Sequence, residues 1–388
     1  MRIIFISHPL FLGSQSMPRF TNMLADGMIK RGHKVEIWRP EPFFNKFPIK
    51  KLKKWMGYID QYIFFSLLTK WKIRGNVGET LYVITDNALG PYVPLVKNKP
   101  HIIHCHDFLA QNSALGKIPE NITSRTGKKY QQFIRNGYIQ GNNFISVSEK
   151  TRYDLEAFLP DCPTTSEMVY NGLNPEFKVH DIQTARAKVG AVFGLSLSNG
   201  YFLHVGGNQW YKNRTGILSI YEQWRKISKN SLPLIFVGQK PDYQLHEMHS
   251  KSLVRNDVYF FSDVDDDIVK YAYSGATVFL FPSLAEGFGW PIAEAMASGT
   301  LVLTTNEAPM LEVAGDAAFL IDKKPSDMDA QLIWAKKSAL VLEEAVSLLP
   351  IERKMFVEKG IKNVKKFNLE EALNKIEAIY LQVIKESH

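Results

Sequence analysis

The stretch TVFLFPSLAEGFGWPIAEAMASGTLVLTT, Thr277 to Thr305, decides the fold of this chain. It opens on an uninterrupted apolar run, passes through a Gly-Phe-Gly turn and a proline, and continues as a helix-length segment that stops at Gly299 before a second apolar run. Runs that are apolar at successive positions predict parallel strands with helices on both faces. The stretch therefore predicts a strand, helix, strand unit of an α/β protein.

The same rhythm extends over the whole chain. In the first half, strands are predicted at RIIFIS, KVEIW, TLYVIT, HIIHCH, NFISVS and EMVYN, and in the second half at YFLHVGG, PLIFVG, DVYFFS, TVFLFPS, TLVLTT and AAFLID. With 388 residues the chain exceeds the usual size of one hydrophobic core. Two Rossmann-like, doubly wound parallel-sheet domains are therefore expected.

The domain boundary is predicted near residues 172 to 182, because the chain beyond it forms a short helix and a Gly/Ser-rich stretch without a convincing strand. The pattern from Asn368, with acidic residues in the first turn and apolar residues at helical spacing, predicts a terminal helix. The expected domains are 1–175, joined by the C-terminal helix 368–388, and 176–367.

Composition limits the class of protein. Hydrophobic residues make up 45% and charged residues 22%, as in globular proteins rather than disordered or multi-span membrane chains. The two cysteines, Cys105 and Cys162, lack CxxC spacing and fit a reducing cytosol. The first residues resemble a strand more than an export signal. A cytoplasmic location is expected.

In open parallel sheets, ligands bind beyond the carboxyl ends of the strands. Polar residues follow several predicted strands at that edge: Gly13 to Ser16, His106 with Asp107, Asn171 with Gly172, Asn208 to Arg214, and Glu286. The Asn171-Gly172 pair is interpreted as a turn at the domain hinge.

Glu286 and Glu294 stand eight residues apart. Pro291 suits the first position of a helix, which places Glu294 in the first turn, where the helix dipole favours a carboxylate. Backbone N–H groups of 287–289 could cradle hydroxyl or phosphate oxygens. Two fixed carboxylates suit vicinal sugar hydroxyls, and Lys212 would supply the charge that a phosphate needs. The alternative is a solvated acid pair at a helix start.

The segment FPSLAEGFGWPIAEAMASGTLVLTTNEAPMLEVAGDAAFLID, Phe281 to Asp322, resembles the signature of family-4 retaining glycosyltransferases, in which two Glu eight residues apart bind the nucleotide-sugar donor. RGHKVEIW, IIHCHD, ISVSEKTRYDLEAF, VYNGLNPEFK and LHVGGNQWYKN follow the order and rough spacing of that family. The resemblance covers most of the chain and is weakest from 39 to 100. It implies the GT-B fold, two Rossmann-like domains facing across a cleft, with a C-terminal helix that crosses back onto the N-terminal domain.

The resemblance also implies an activity. The chain would move a hexosyl group, with retention and without a metal ion or cofactor, from a UDP- or GDP-type sugar to a sugar or lipid-linked sugar acceptor in cell-surface polysaccharide or glycolipid synthesis. The catalytic residues would be His106, Lys212 and Glu286. The donor-binding residues would be Gly13, Ser14, Gly207, Asn208, Arg214, Gly287, Phe288, Gly289 and Glu294. Glu294 would hold the ribose hydroxyls and Lys212 the leaving diphosphate; His106 could instead be a satisfied histidine at a strand end.

One position departs from the family pattern. The family commonly has an arginine five residues before the lysine that corresponds to Lys212, and Gly207 stands there. Arg214 is the candidate replacement.

Other functions share some of these features. A non-catalytic nucleotide-sugar-binding protein or a GT-B sugar-nucleotide epimerase would use the same fold. A nicotinamide oxidoreductase would need GxGxxG after the first strand, and SHPLFLGSQS does not provide it. The HExxH, GxSxG and P-loop motifs of other enzyme classes are missing from the sequence. Nucleic-acid-binding signatures are missing as well, so no nucleic-acid partner is expected.

DVDDD, Asp263 to Asp267, resembles a metal-binding acid cluster. It precedes IVKYAYSGA, so the favoured interpretation is a helix N-cap with an acidic first turn.

Most of the net charge of +8 lies between Lys46 and Arg74, where eight Lys and Arg residues stand against Asp60 alone. Apolar residues at 49, 52, 56, 59, 63, 67 and 71 form a helical stripe in this basic stretch. One interpretation is an interfacial helix that docks Lys50–Arg74 on anionic lipid at the inner face of the membrane. The other is a core-packing helix with solvated lysines.

Overall fold

The computed structural model describes residues 1–12, 16–46, 53–75 and 79–387. Contacts divide the chain into two units, Met1–Asn171 with Glu370–His388 and Gly172–Leu369. The chain thus leaves the first unit after Asn171 and returns to it after Leu369.

Within the described residues, the first unit contains one parallel sheet in the order β2-β1-β3-β4-β5-β6. Its strands are β1 (Arg2–Ile6), β2 (Lys34–Trp38), β3 (Thr80–Ile84), β4 (His101–Cys105), β5 (Asn143–Ser146) and β6 (Thr165–Met168). Its helices, the last of the chain excepted, are α1 (Ser16–Lys30), α2 (Lys53–Tyr58), α3 (Phe65–Arg74), α4 (Val93–Val96), α5 (Leu109–Ala114), α6 (Arg125–Tyr138) and α7 (Glu149–Glu156). A π-helical segment, Ile59–Phe64, joins α2 to α3.

The second unit contains another parallel sheet, in the order β12-β11-β10-β7-β8-β9. Its strands are β7 (Phe202–Gly206), β8 (Leu234–Gly238), β9 (Val258–Phe261), β10 (Val278–Phe281), β11 (Leu301–Thr305) and β12 (Ala318–Ile321). Its helices are α8 (Ile182–Phe193), α9 (Arg214–Ile227), α10 (Tyr243–Lys251), α11 (Asp266–Gly275), α12 (Trp290–Ala297), α13 (Met310–Ala314), α14 (Met328–Val346) and α15 (Pro350–Asn363).

The prediction of two doubly wound parallel sheets is confirmed. Each predicted apolar run contains or overlaps one of these strands. The largest shift is in EMVYN, because β6 pairs with β5 from Thr165 to Met168 and the apolar residues Val169 and Tyr170 follow the strand.

Both sheets reverse their direction of winding at their first strand. In the first unit the chain passes from β1 to β2 on one side and then to β3 on the other, and in the second unit β8 and β10 flank β7 in the same way. Ligands of open α/β sheets bind at the carboxyl ends of the strands that flank such a switch point. The loops after β1 and β3, and those after β7 and β10, are therefore where sites are expected.

The last helix of the chain, α16 (Leu369–Glu386), packs in the first unit. The Arg31 guanidinium lies 2.7 Å from the Glu370 carboxylate, and His33 Nε2 lies 2.6 Å from Glu377. The buried Tyr380 hydroxyl lies 2.7 Å from His104 Nε2. The predicted terminal helix thus completes the first unit rather than the second.

Helix α6 approaches the 3₁₀ turn Asn87–Tyr92 at two glycines. A Cβ on Gly137 would lie 2.1 Å from the carbonyl oxygen of Gly90, and one on Gly90 would lie 2.2 Å from the carbonyl oxygen of Ile134. Glycine at both positions lets the two backbones touch. The turn follows β3, so this contact helps to position the switch-point loop of the first unit.

The helical stripe predicted in the basic stretch does not pack in the core. Ile49 and Leu52 lie outside the described residues, Met56 is half-buried, and Ile59, Ile63, Leu67 and Trp71 are exposed. The side that packs against the unit contains Asp60, Gln61 and Thr69 with Phe65 and Ile73. The core-packing interpretation is therefore wrong for the described part of the stripe.

Among the described residues, no helix has the length and apolar character needed to span a membrane.

Candidate active site

The loops after β7 and β10 are joined directly at the switch point of the second unit. The Leu284 N–H donates to the Tyr211 carbonyl at 2.7 Å, and the Asn213 side-chain amide donates to the Pro282 carbonyl at 2.9 Å. Asn213 adopts a left-handed conformation (φ 51°) between the 3₁₀ turn Trp210–Lys212 and α9. These bonds fix the direction in which Lys212 leaves the backbone.

Lys212 and Glu286, both predicted as catalytic, form an ion pair. Lys212 Nζ lies 2.8 Å from Glu286 Oε1, and the two side chains are only 14% and 9% exposed. Lys212 Nζ also lies 4.8 Å from the centroid of the Phe281 ring. Because little water reaches the pair, its charges act on a neighbouring ligand more strongly than surface charges would.

Glu294 is held by a neighbouring helix. The Tyr273 hydroxyl of α11 donates to Glu294 Oε2 at 2.8 Å. Burial, and after it the Glu294 carboxylate, raises the pKa of Tyr273 well above its ordinary value, so the hydroxyl keeps its proton. Tyr273 was not predicted as a site residue, since it stands 21 residues before Glu294 inside an apolar helical pattern.

The predicted place of Glu294 in the first turn of its helix is wrong. Helix α12 begins at Trp290 because Gly289, with φ 110°, ends the preceding loop, and Pro291 is the second helical residue. Glu294 is then the fifth residue of α12. The helix dipole therefore supports this carboxylate less than the sequence suggested, and Tyr273 is the contact that orients it.

The loop 287–289, which follows Glu286, is anchored by its one large side chain. Phe288 is buried, and its ring packs 5.4 Å from Trp290 and 5.3 Å from Phe367 between centroids. The left-handed backbone conformation at position 289, described above, favours glycine. Gly287 and Gly289 thus flank a residue that anchors the loop in the core of the second unit.

Arg214 supports the loop that follows β7. Its guanidinium donates to the Asn208 side chain and, at 2.9 Å, to the Gln239 carbonyl. The side-chain oxygen of Gln239 accepts from the Asn208 N–H at 2.9 Å. Sequence reasoning did not identify Gln239, although it directly follows β8 at the same edge of the sheet.

The guanidinium of Arg214 is buried beside two stacked aromatic rings. It lies 5.1 Å from the centroid of Phe236 and 5.8 Å from that of Phe260, and the residue is 5% exposed. Burial lowers its pKa to about 10. Its Nε and Nη2 atoms are buried without a hydrogen-bond partner among the described residues. This geometry makes Arg214 a support for Gly207 and Asn208.

His106 follows β4 in the first unit and is nine-tenths buried. Its Nε2 lies 3.0 Å from the Thr85 carbonyl, which can only accept, so Nε2 carries the proton and Nδ1 is the acceptor of the ring. The His106 N–H donates to the Asn87 side chain at 3.1 Å. Burial lowers the pKa of His106 below its ordinary value. A neutral imidazole held in this way can accept a hydrogen bond from a sugar hydroxyl.

Two residues beside His106 were not identified from the sequence. His8 follows β1 and Asp86 follows β3, and His8 Nε2 donates to Asp86 Oδ2 at 2.8 Å. Burial by itself raises the pKa of Asp86, but the hydrogen bond and electrostatic attraction of His8, with the hydrogen bond from the Ala88 N–H, hold it below its ordinary value. The available signal was their position, each just after one of the two strands at the switch point.

Two predicted donor-binding residues, Gly13 and Ser14, lie outside the described residues. The acidic cluster contains the predicted cap: Asp265 accepts from the Asp267 N–H at the start of α11. In the part of the chain that the structure describes, no group of three or more His, Cys, Asp or Glu side chains could hold a metal ion.

Two parallel six-stranded sheets, each with a polar cluster at its switch point, define the class: the chain has the GT-B fold of glycosyltransferases. Sucrose-phosphate synthase from Thermosynechococcus elongatus has a TM-score of 0.75 with 14% identity, and the match covers 100% of both chains. Anabaena HepE, solved with UDP and glucose, has a TM-score of 0.70 with 14% identity over 97% of this chain and 98% of its own.

Residues 191–362 match the family described as Glycosyl transferases group 1, and they lie within the second unit. That unit therefore contains a domain of this family. The chain is also similar to O-antigen chain mannosyltransferase B of Escherichia coli, with 34% identity over 133 residues. The match covers 34% of this chain and 34% of the relative, so it spans about a third of that protein.

Proposed function

We propose that this protein is a glycosyltransferase that moves a hexosyl group from a nucleoside-diphosphate sugar to an acceptor hydroxyl in the synthesis of a cell-surface polysaccharide or glycolipid. The observation that carries the proposal is the buried Lys212–Glu286 pair at the switch point of a group 1 domain. A fixed cation there can stabilise the charge that develops on a departing diphosphate. The carboxylate beside it can accept hydrogen bonds from the transferred sugar.

The nucleotide part of the donor is proposed to bind the second unit. Glu294, oriented by Tyr273, accepts hydrogen bonds from the ribose hydroxyls. Gly207 and Asn208, braced by Arg214, form a further wall of the donor site. The relative named as a mannosyltransferase favours a mannosyl donor, whereas the solved neighbour with UDP and glucose favours a glucosyl donor of the UDP type.

The proposed transfer retains the configuration at the anomeric carbon and needs no metal ion. The bond from that carbon to the diphosphate breaks with its electron pair on the diphosphate, and the acceptor oxygen forms its bond on the same face. The proton of the acceptor hydroxyl passes to the departing phosphate oxygen. Lys212 supplies the positive charge that a metal would otherwise supply.

His106 is proposed to contact the sugar from the first unit, through the acceptor nitrogen of its neutral ring. The acceptor is proposed to be a sugar or a lipid-linked sugar. The identity of the acceptor depends on the part of the first unit, from 39 to 100, where the resemblance to the family is weakest.

The purified chain should release a nucleoside diphosphate from one sugar nucleotide and give a product with the anomeric configuration of the donor. We would use GDP-mannose and UDP-glucose as donors and methyl mannoside as acceptor, and read the configuration by NMR. EDTA should leave turnover unchanged. Loss of turnover with EDTA would contradict the metal-independent mechanism, and an inverted product would contradict retention. Tight donor binding without turnover would favour a non-catalytic sugar-nucleotide-binding protein.

A further inference from the structure

The helical segment from Lys53 to Arg74, here called the 53–74 helix, exposes its apolar side chains. Trp55, Leu67 and Trp71 are 65%, 63% and 73% exposed. Ile59, Ile63 and Leu68 are exposed as well. Except for Leu68, these residues recur at every fourth position, so they form one stripe along the helix. An apolar stripe of this length on a surface indicates a binding face.

The opposite side of the helix is buried, and it carries polar side chains beside the core residues Phe65 and Ile73. The Asp60 carboxylate accepts from the Phe44 N–H at 2.9 Å and from the Asn45 N–H at 2.8 Å. The Tyr92 hydroxyl donates to the Gln61 carbonyl at 3.0 Å. Surface helices of globular proteins normally bury their apolar side. Here polar contacts and the core residues Phe65 and Ile73 together fix the helix to the unit, and the apolar stripe faces outward.

The π-helical segment keeps the stripe on one side. In an α-helix, residues four apart drift around the axis, because a turn takes only 3.6 residues. The Phe65 N–H donates to the Asp60 carbonyl, a bond across five residues that widens the turn. The wider turn offsets part of the drift between Trp55 and Trp71.

The charges beside the stripe are positive. Lys53, Lys70, Lys72 and Arg74 are exposed, whereas Asp60, the one acidic residue between Lys53 and Arg74, is buried. A pocket of about 250 Å³ borders the helix, and its lining includes Leu68, Lys72, Arg39 and Glu41. Two cations against one carboxylate leave this lining with a net positive charge. The headgroup of an anionic lipid complements this surface in charge, and the acyl chains of the lipid complement the apolar stripe.

We propose that the 53–74 helix docks the first unit on the surface of an anionic lipid bilayer. Trp55, Ile63, Leu67 and Trp71 enter the boundary between headgroups and acyl chains, and the lysines contact the lipid phosphates. This docking does not depend on the proposed glycosyl transfer, because it needs neither donor nor acceptor.

The test is co-sedimentation of the full chain with vesicles, without any sugar nucleotide. Vesicles of phosphatidylcholine mixed with phosphatidylglycerol should bind the chain, and vesicles of phosphatidylcholine alone should bind it much less. The double variant Leu67→Asp/Trp71→Asp should lower the binding constant at least about tenfold. Lys53→Glu/Lys70→Glu should lower it about fivefold for each lysine, and added salt should weaken binding of the wild type.

Ile122→Asp is the matched control, since Ile122 is an exposed apolar residue of the same unit outside the stripe. It should bind vesicles as the wild type does. Equal vesicle binding by the wild type and the Leu67→Asp/Trp71→Asp variant would overturn the proposal. A second result would also overturn it: the wild type binds no vesicles and is a dimer in sedimentation velocity, and this variant is a monomer. The stripe would then be an interface between two copies of the chain.

Discussion

Lys212→Ala lowers the turnover of the sugar nucleotide by at least about 100-fold, the loss typical when one group that stabilises a transition state is removed. The diphosphate leaves with additional negative charge, and Lys212 is the cation that the structure holds at the switch point of the second unit, 2.8 Å from Glu286. The Michaelis constant should change less than the turnover number, because the interaction is strongest as the bond breaks. Steady-state kinetics with a saturating donor measures both constants.

Two comparisons separate this effect from a loss of folding. Breaking a buried pair leaves Glu286 uncompensated and lowers stability, so turnover is measured well below the melting temperature of each variant. Glu286→Gln keeps the shape of the partner and should also reduce turnover. Lys251→Ala removes an exposed lysine from the surface of the same unit and should have no effect. Near-normal turnover in a folded Lys212→Ala variant would refute the assigned role of Lys212.

Gly137→Ala destabilises the first unit by about 3 kcal/mol or more, at the upper end of the cost of overpacking. The added Cβ would lie 2.1 Å from the Gly90 carbonyl oxygen and 2.3 Å from its carbon, both backbone atoms. Helix α6 must then move away from the turn Asn87–Tyr92. Because the Asn87 side chain accepts from the His106 N–H and donates to the Asp107 carbonyl, the displacement should also reduce turnover.

Scanning calorimetry measures the stability change as a shift of the transition that belongs to the first unit. Gly75→Ala is the matched control, because among the described residues a Cβ there meets only the Lys72 carbonyl, at 3.8 Å, and φ is −82°. It should change stability by less than about 0.5 kcal/mol. Equal stability of Gly137→Ala and the wild type would contradict the close contact between α6 and the turn Asn87–Tyr92.

Most strands were predictable because they are short runs that are apolar at successive positions, as strands covered on both faces require. The exceptions are β2, which alternates polar and apolar residues, and β6, which is mostly polar. Their order in the sheet was not readable from those runs. The pairing of His8 with Asp86 depends on β1 and β3 being neighbours, although the two residues are 78 positions apart. A single sequence gives no sign of such a contact, so the switch-point cluster of the first unit was found only in part, through His106.

The direction in which a side chain points was the second feature that could not be predicted from the sequence. Arg214 was the candidate replacement for the arginine missing at Gly207, and the structure shows its guanidinium buried and hydrogen-bonded to the Asn208 side chain. Periodicity likewise identified a stripe in the basic stretch but not the side on which it lies. The stripe faces outward because Phe65 and Ile73 pack into the core on the opposite side and Asp60 accepts there from the backbone of Phe44 and Asn45; no hydrophobic pattern encodes the Asp60 contacts.

The central claim, that the second unit binds a nucleoside-diphosphate sugar, is tested most directly by calorimetric titration of the full chain with UDP, GDP, ADP and CMP without added metal. We expect one diphosphate to bind saturably. Glu294→Ala should weaken that binding about 10- to 100-fold, because hydrogen bonds to a charged group are lost. Tyr273→Phe should weaken it less, since it removes only the bond that orients the carboxylate. Failure of all four nucleotides to bind the wild-type protein, or equal binding by wild type and Glu294→Ala, would contradict the account.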